Sequence, residues 1–447
     1  MARKSAVKYV CAACGSVFGS WTGRCQVCGE WNTLSEQLDT QTIARHGGGQ
    51  RLSTQSLSAA KRASAKRLSS GISEVDLVLG GGLVAGSVSL LAGQPGIGKS
   101  TLLLQIAYQA AAHAKVLYVS GEESAQQIGL RASRLGVDHA NLQLAVATSA
   151  NDIAATIATG DFKLVIVDSI QAVSVEQIAS AAGNVSQITN SAQLLSAAAK
   201  QTDTALVVVG HVTKEGSIAG PKVLEHMVDV VLNLEGDRYG GFKILRASKN
   251  RYGSTLEAGI FEMTDKGLAA VANPSAALLA ERQVTDGSIV HATLEGNRPV
   301  LVEVQALVNK TSYGYPKRTA SGIDPNRVNL LIAMLERRTK LQLGDKDIYI
   351  NIVGGLRLSE PAADLAICMA IASADSGRQL KTNAVVFGEV GLSGEVRHVP
   401  QVEKRIAEAK KLGFKAAIGP AGRASKKPAY LLPVSDVRSA LNKYLEL

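Results

Sequence analysis

Aromatic residues, cysteines and long apolar runs are all scarce in this chain, and each scarcity excludes something. Aromatics make up 4% of the 447 residues while glycine reaches 43, a balance of an Ala/Gly/Val-rich α/β protein rather than a β-sandwich. No stretch approaches the 18 or more apolar residues that a membrane span requires. The opening MARKSAVKYVCAACGS carries positive charge but no apolar core, unlike a secretory leader. These features predict a cytoplasmic protein. Of only five cysteines, four fall within residues 11–28, which predicts one metal site in a reducing compartment rather than a disulfide framework. Acidic charge is also in deficit, 38 Asp and Glu against 48 Lys and Arg. Residues 1–70 hold ten of the basic and three of the acidic residues, so +7 of the +10 lies in the first sixth of the chain. Such an arm points to nucleic acid, with a merely solvated tail as the alternative.

A composition of 46% hydrophobic and 19% charged residues supports a sizeable core, and the length predicts two to four domains. Residues 1–33 hold the cysteine cluster and both tryptophans, Trp21 and Trp31. Residues 34–69 run polar and Gly/Ser/Ala/Lys/Arg-rich, which predicts a flexible basic linker. Over 70–272 short β-branched runs (SVSLLAG, KVLYVSG, KLVIVDS, ALVVVGHV, VDVVLNLEG) alternate with Ala/Leu-rich stretches. That alternation predicts a mostly parallel sheet covered by helices on both faces. Past AAVANPSAALLAER the texture changes again, and residues 273–447 mix strands and helices in a further domain.

Gly93-Gln94-Pro95-Gly96-Ile97-Gly98-Lys99-Ser100 is a full G-x-x-x-x-G-K-[ST] match, followed by Thr101, between the strand SVSLLA and the helix STLLLQIAYQAA. In that context the loop's backbone N–H groups converge on phosphates at a helix N-terminus. Lys99 reaches the β- and γ-phosphates, and the Ser100 hydroxyl ligates Mg²⁺. Asp168 ends the apolar strand 163–167, where a carboxylate reaches the magnesium shell. Glu122, just past the strand 115–119, is placed to polarise an attacking water, the alternative being an acidic helix start.

The cysteines read Cys11-x₂-Cys14-x₁₀-Cys25-x₂-Cys28, a spacing suited to a closed tetrahedral zinc site. Four thiolates leave no open position, so the expected role is structural, with metal binding supplying the folding energy of a short segment. Cys368, within DLAICMAIAS, reads as plain core packing.

These residues carry a resemblance. GISEVDLVLGGGLVAGS, the P-loop, VSGEES and VIVDSIQA resemble a RecA/DnaB-type ATPase core, in which Glu122 matches the water-activating glutamate. GHVTKEGSIAGPKVLEHMVD, KNRYG and the N-terminal cysteines narrow the likeness to the bacterial RadA (Sms) family of recombination and repair ATPases, over essentially the whole chain. The family element is usually KNRFG; here Tyr252 keeps the ring between the same flanking residues. The resemblance implies that His211 senses the γ-phosphate and that residues 212–225, with Lys214 and Lys222, form a mobile DNA-binding loop. It further implies that Lys249 and Arg251 reach the nucleotide of a neighbouring subunit in a homo-oligomeric ring, a hexamer.

The last 160 residues are similar to the proteolytic domain of Lon proteases, most clearly in RLSEPAADLAICMAIAS and VGLSGEVRHVPQVEKRIAEAKKLGF. The nucleophile position after Pro361 is Ala362, and the base position falls on Glu403, with Lys404 beside it. Without a nucleophile there is no acyl-enzyme chemistry. The expectation is therefore an α+β scaffold for ring formation and DNA, with Lys310, Lys317, Arg318 and Arg327 as candidate phosphate contacts. The resulting picture is an α/β protein: an N-terminal zinc finger, a RecA-like P-loop core and a Lon-protease-like C-terminal domain. The resemblance implies an ATP-, Mg²⁺- and Zn²⁺-dependent motor on single-stranded and branched DNA, promoting branch migration beside the recombinase RecA. A Lon-like protease and a KaiC-like signalling ATPase are the alternatives; peptide cleavage and DNA-stimulated ATP turnover discriminate.

Overall fold

The computed structural model describes residues 7–11, 13–38, 56, 67–211, 223–236, 241–312, 314–421 and 429–445. The chain forms two compact units, residues 1–65 and 66–447. In the first, β1 (Val7–Cys11) pairs antiparallel with β2 (Val17–Phe18) and β3 (Leu34–Leu38). Its core is Cys11, Cys25 and Leu34, with Tyr9 and Phe18 packed against them. Ordering a residue's backbone costs about 1–2 kcal/mol, so so few buried side chains need a further cross-link.

The second unit opens with β4 (Arg67–Leu68), α1 (Ser73–Leu79) and β5 (Leu83–Val84), which pairs with β4. A regular alternation follows: β6 (Val88–Gly93), α2 (Lys99–Ala111), β7 (Val116–Ser120), α3 (Ala125–Leu135), β8 (Leu142–Val146), α4 (Ala150–Thr159), β9 (Leu164–Asp168), α5 (Val185–Gln201), β10 (Ala205–His211), α6 (Val223–Met227) and β11 (Val230–Gly236). These six strands are parallel, in the order β11-β6-β10-β9-β7-β8. Every residue of β6 is buried, which is why its sequence is apolar on both faces, apart from Ser89, instead of alternating. Leu91, Val207 and Leu232 face one layer with Leu102, Leu103 and Ile106 of α2. Leu90, Val165 and Val208 face the other, with Ile153 of α4 and Leu195 of α5.

Beyond β11 the sheet continues antiparallel through β12 (Phe242–Asn250), β13 (Ala258–Thr264) and β14 (Gly267–Ala270). This extension was not legible as strands in the sequence, and it carries the KNRYG segment at its first strand's end.

After α7 (Pro274–Leu279), β15 (Ser288–Glu295), β16 (Arg298–Lys310), β17 (Arg318–Ser321), β18 (Lys346–Ile352), β19 (Ala384–Val386), β22 (Ala416–Pro420) and β23 (Leu431–Val434) build a seven-stranded mixed sheet; β20 (Glu389–Val390) and β21 (Val396–Arg397) form a separate pair. Around it lie α8 (Pro325–Arg338), α9 (Asp364–Ser376), α10 (Val402–Lys411) and α11 (Val437–Tyr444). Helix α9 is buried from Asp364 through Ser373, and Cys368 within it is core packing whose thiol burial pushes upward in pKa. The β15–β16 turn reaches back to the parallel-sheet region. Arg298 pairs with Glu74 of α1 at 2.7 Å, and Glu295 pairs with Arg246 of β12. Among the described residues no helix is long and apolar enough to cross a membrane.

Candidate functional site: a phosphate loop and a four-cysteine centre

The strand order reverses beside β6, between β10 and β11, and in open parallel sheets ligands bind beyond the strand C-termini at such a point. Register brings the chemistry to that edge. His211 lies opposite Gly93, and Ser120 opposite Asp168. Gly98 caps α2 with φ 114, a backbone state that strains any residue with a Cβ, and it turns the loop into the helix. Ser100 and Thr101 follow Lys99 in the first turn of α2.

Lys99 is 5% exposed, and its Nζ donates to the carbonyls of Gly93 at 2.9 Å and Gln94 at 3.1 Å. The ammonium is thus folded onto its own loop. Burial lowers its pKa, opposed by the carboxylates of Asp168 and Glu122. Both acids therefore belong to one electrostatic cluster with the lysine. Asp168 Oδ2 accepts from the Tyr118 hydroxyl at 2.6 Å, and burial, followed by the Asp168 charge, drives the Tyr118 pKa upward. Tyr118 consequently stays a donor and fixes the carboxylate. The Ser169 hydroxyl donates to Glu122 Oε1, tying the residue after Asp168 to the glutamate.

The two neighbouring glutamates divide their tasks. Glu123 takes both arms of Arg131, at 2.8 and 2.6 Å. Glu122 faces the lysine cluster. Both precede α3, which begins at Ala125 behind a Ser124–Gln127 capping box.

KNRYG is woven into the same unit. Lys249 Nζ donates to the Glu225 and Val228 carbonyls at 2.7 Å each and to His226 at 3.3 Å, closing the end of α6. Asn250 donates to the Val78 and Leu79 carbonyls at the end of α1. Arg251 pairs with the buried Asp229 at 3.0 Å while its side chain stays 56% exposed. Lys214 and Lys222 lie outside the described residues, as does the side chain of His211.

The four cysteine Sγ atoms lie within 4.8 Å of one another, with Cys11–Cys28 and Cys14–Cys25 each at 3.7 Å. A tetrahedron with Zn–S bonds of about 2.3 Å has S···S edges of about 3.8 Å, so the donor set fits zinc. None of the four is joined in a disulfide here. The two halves of the site repeat one turn: Gly15 N–H bonds the Cys11 carbonyl, and Gly29 N–H bonds that of Cys25. Both glycines have positive φ, 73 and 77, which the turn requires. The Thr33 hydroxyl beside Cys11 lowers that thiol to about 6, favouring the thiolate that a metal needs.

Comparison with known proteins agrees with this division. A family model described as an AAA domain matches residues 54–217. One described as a rubredoxin metal binding domain matches 9–36, and one described as the ChlI subunit of Mg-chelatase matches 324–423. DNA repair protein RadA of Pseudomonas aeruginosa is 46% identical over 446 residues, 98% of each chain. Its namesake from Bacillus subtilis is 45% identical over 454 residues, 99% of each. The chain belongs to the RadA family. The AAA match supports an ATPase using ATP and Mg²⁺, and the metal-domain match with the cysteine geometry supports zinc.

In this RadA-family chain the C-terminal region holds no proteolytic pair at the positions compared with Lon. Ala362 is buried at 2% exposure in a turn before α9, and Glu403 and Lys404 are exposed on α10. Buried Arg405 instead donates to Glu360 at 2.8 and 2.6 Å. Lys310, Lys317 and Arg318 are exposed and gather at one end of the sheet, through the Lys310–Lys346 and Arg318–Ile348 pairs. Arg327 is different: its guanidinium is taken up by buried Asp364. Tyr118, Ser169, Arg131, Asp229 and the Arg405–Glu360 pair were missed from sequence. Most of their partners are remote in sequence, 50 residues for Tyr118 and Asp168 and 141 for Asp229 and the Val88 N–H, and only Tyr118 carries a local signal, a hydroxyl inside an apolar strand.

Proposed function

We propose that this chain is a cytoplasmic, ring-forming, ATP-dependent DNA motor that binds single-stranded DNA and promotes branch migration of recombination intermediates. The observation that carries the reading is the convergence of Lys99, Glu122 and Asp168 on the C-terminal edge of the parallel sheet, next to the strand that leads into residues 212–222. Relatives named DNA repair proteins along nearly the whole chain support DNA as the object.

In this reading the loop Gly93–Thr101 holds the nucleotide phosphates, and Lys99 leaves the Gly93 and Gln94 carbonyls to neutralise the γ-phosphate. Ser100 and Asp168 supply the hard oxygen ligands that suit Mg²⁺, which when bound stabilises charge on the transferring phosphoryl group. Glu122, held by Ser169, orients and deprotonates water. His211 reports γ-phosphate loss to residues 212–225, whose Lys214 and Lys222 grip DNA. Lys249 and Arg251 complete the site of a neighbouring subunit, in a hexamer working beside RecA. Residues 1–33 act as the zinc finger, 34–69 as linker, 70–272 as motor and 273–447 as a non-proteolytic scaffold whose Lys310, Lys317 and Arg318 touch DNA phosphates.

The test is the ATPase rate with and without single-stranded DNA, followed by unwinding of forked DNA. Turnover indifferent to DNA removes the motor reading.

A further inference from the structure

The only two tryptophans of the chain stand in the cysteine module, and both are exposed, Trp21 at 57% and Trp31 at 67%. Single exposed apolar residues are ordinary, but large aromatics exposed side by side mark a contact surface. Here they flank one notch. A Cβ built at Gly23 meets the edge of the Trp21 ring and the edge of the Trp31 ring at 3.8 Å each, so both indoles converge on the space that this glycine leaves free. The backbone fixes the arrangement: Arg24 bridges to Trp31 antiparallel, and Asn32 N–H bonds the Gly23 carbonyl at 2.9 Å. The Arg24 guanidinium lies 5.8 Å from the Trp31 ring centroid and its Nε donates to the Gly29 carbonyl at 2.7 Å. Two exposed indoles with a stacked cation are the chemistry that takes unpaired bases, since every base has a π-face and every linkage a phosphate.

Charge in the sequence flanking the module, though not within residues 7–38, favours the same occupant. Residues 1–70 carry ten basic and three acidic side chains. A zinc ion held by four thiolates would subtract about two charges and leave the arm positive. We infer that Trp21, Trp31 and Arg24 form a base-stacking platform for single-stranded nucleic acid, separate in sequence from the residues 212–225 and from the C-terminal basic cluster. The inference rests on the reading that the protein binds single-stranded DNA, and adds a second contact that reads base faces instead of phosphate alone.

Because these are the only tryptophans, their emission reports the platform directly in the full-length, zinc-loaded protein. Titration with oligothymidylate should quench it, while an abasic sugar-phosphate oligomer of equal length should not. Binding itself is followed separately by the anisotropy of a labelled oligonucleotide. Trp31→Ala should weaken oligothymidylate binding by roughly tenfold. Trp31→Phe, which keeps a stacking face, should restore most of it, and zinc content should remain one equivalent in both. Binding by anisotropy with unchanged tryptophan emission overturns the platform and leaves the motor reading intact. Equal quenching by the abasic oligomer, or full affinity in Trp31→Ala, also overturns it. Absence of any DNA binding removes both. If the surface serves a protein instead, the DNA titrations fail in the first of these ways.

Discussion

The carboxylate of Glu360 receives both arms of the Arg405 guanidinium two residues before Ala362, where a Lon-type protease would carry its serine. Arg405 is wholly buried and also bonds the Ala292 carbonyl. A charge pair thus occupies the region in place of a nucleophile and base. Burial raises the Glu360 pKa, but the Arg405 guanidinium overcomes it and holds the carboxyl well below the usual range. A depressed folded-state pKa gives stability that is present above the unfolded value of about 4.3 and is lost as pH falls below it. Glu360→Gln should therefore flatten the acid limb of the melting profile. At neutral pH it should cost about 3–5 kcal/mol by stranding Arg405, read by calorimetry.

Restoring the hydroxyl should not restore proteolysis. Ala362→Ser places an alcohol in an apolar cluster with Val290, Phe387 and Val399. Peptide hydrolysis by this variant above the wild-type background would contradict the scaffold role.

Lys99→Ala should abolish ATP turnover while the protein remains folded. The side chain makes hydrogen bonds to two loop carbonyls and faces the ligand site, so removing it leaves both apolar layers of the sheet untouched. Circular dichroism and calorimetry check the fold; ATPase near the wild-type rate would remove Lys99 from the site. Glu122→Gln should instead retain nucleotide and lose hydrolysis, because the Ser169 contact survives as a hydrogen bond to the amide oxygen.

Wild-type protein should contain one zinc per chain. Cys28→Ser should release the metal and unfold residues 7–38 while the unit from residue 66 onward stays folded, since the two units have separate cores. Metal analysis, with proteolysis of the N-terminal module, checks both halves. Less than half an equivalent in the wild type would end the zinc assignment.

What was legible in the sequence were features whose partners are close along the chain. The P-loop is contiguous, β6 and β9 announce themselves as mainly apolar runs because both faces are buried, and the cysteine spacing encodes a tetrahedron. Long-range polar pairing was not legible. Arg298 and Glu74 are 224 positions apart, and nothing local distinguishes either from a solvated charge. Arg327 shows the converse: it read as a phosphate contact because its partner Asp364 hides in an apolar helix start. Strands β12–β14 escaped because KNRYG and its neighbours are too mixed in polarity to read as a sheet extension.

The intersubunit role of KNRYG gives the sharpest test of the motor. In the single chain Lys249 closes the end of α6 and Arg251 leans on Asp229 with half its side chain in solvent. Reaching a neighbour's phosphate would require Lys249 to release the helix that follows residues 212–222, which in the proposed motor would couple nucleotide to the DNA-binding segment. Trans-acting cations of this kind are worth roughly 10³–10⁵ in rate. Arg251→Ala should then bind ATP and hydrolyse it poorly, with DNA no longer stimulating turnover. Mixing Arg251→Ala with Lys99→Ala creates interfaces in which an intact loop meets an intact finger, so rings that exchange subunits should recover part of the ATPase that neither parent shows. A cis arrangement leaves a defect in every site and predicts no recovery. Mixtures shown to co-assemble, by energy transfer between labelled subunits, that remain at the parental rate would assign Lys249 and Arg251 to their own subunit alone.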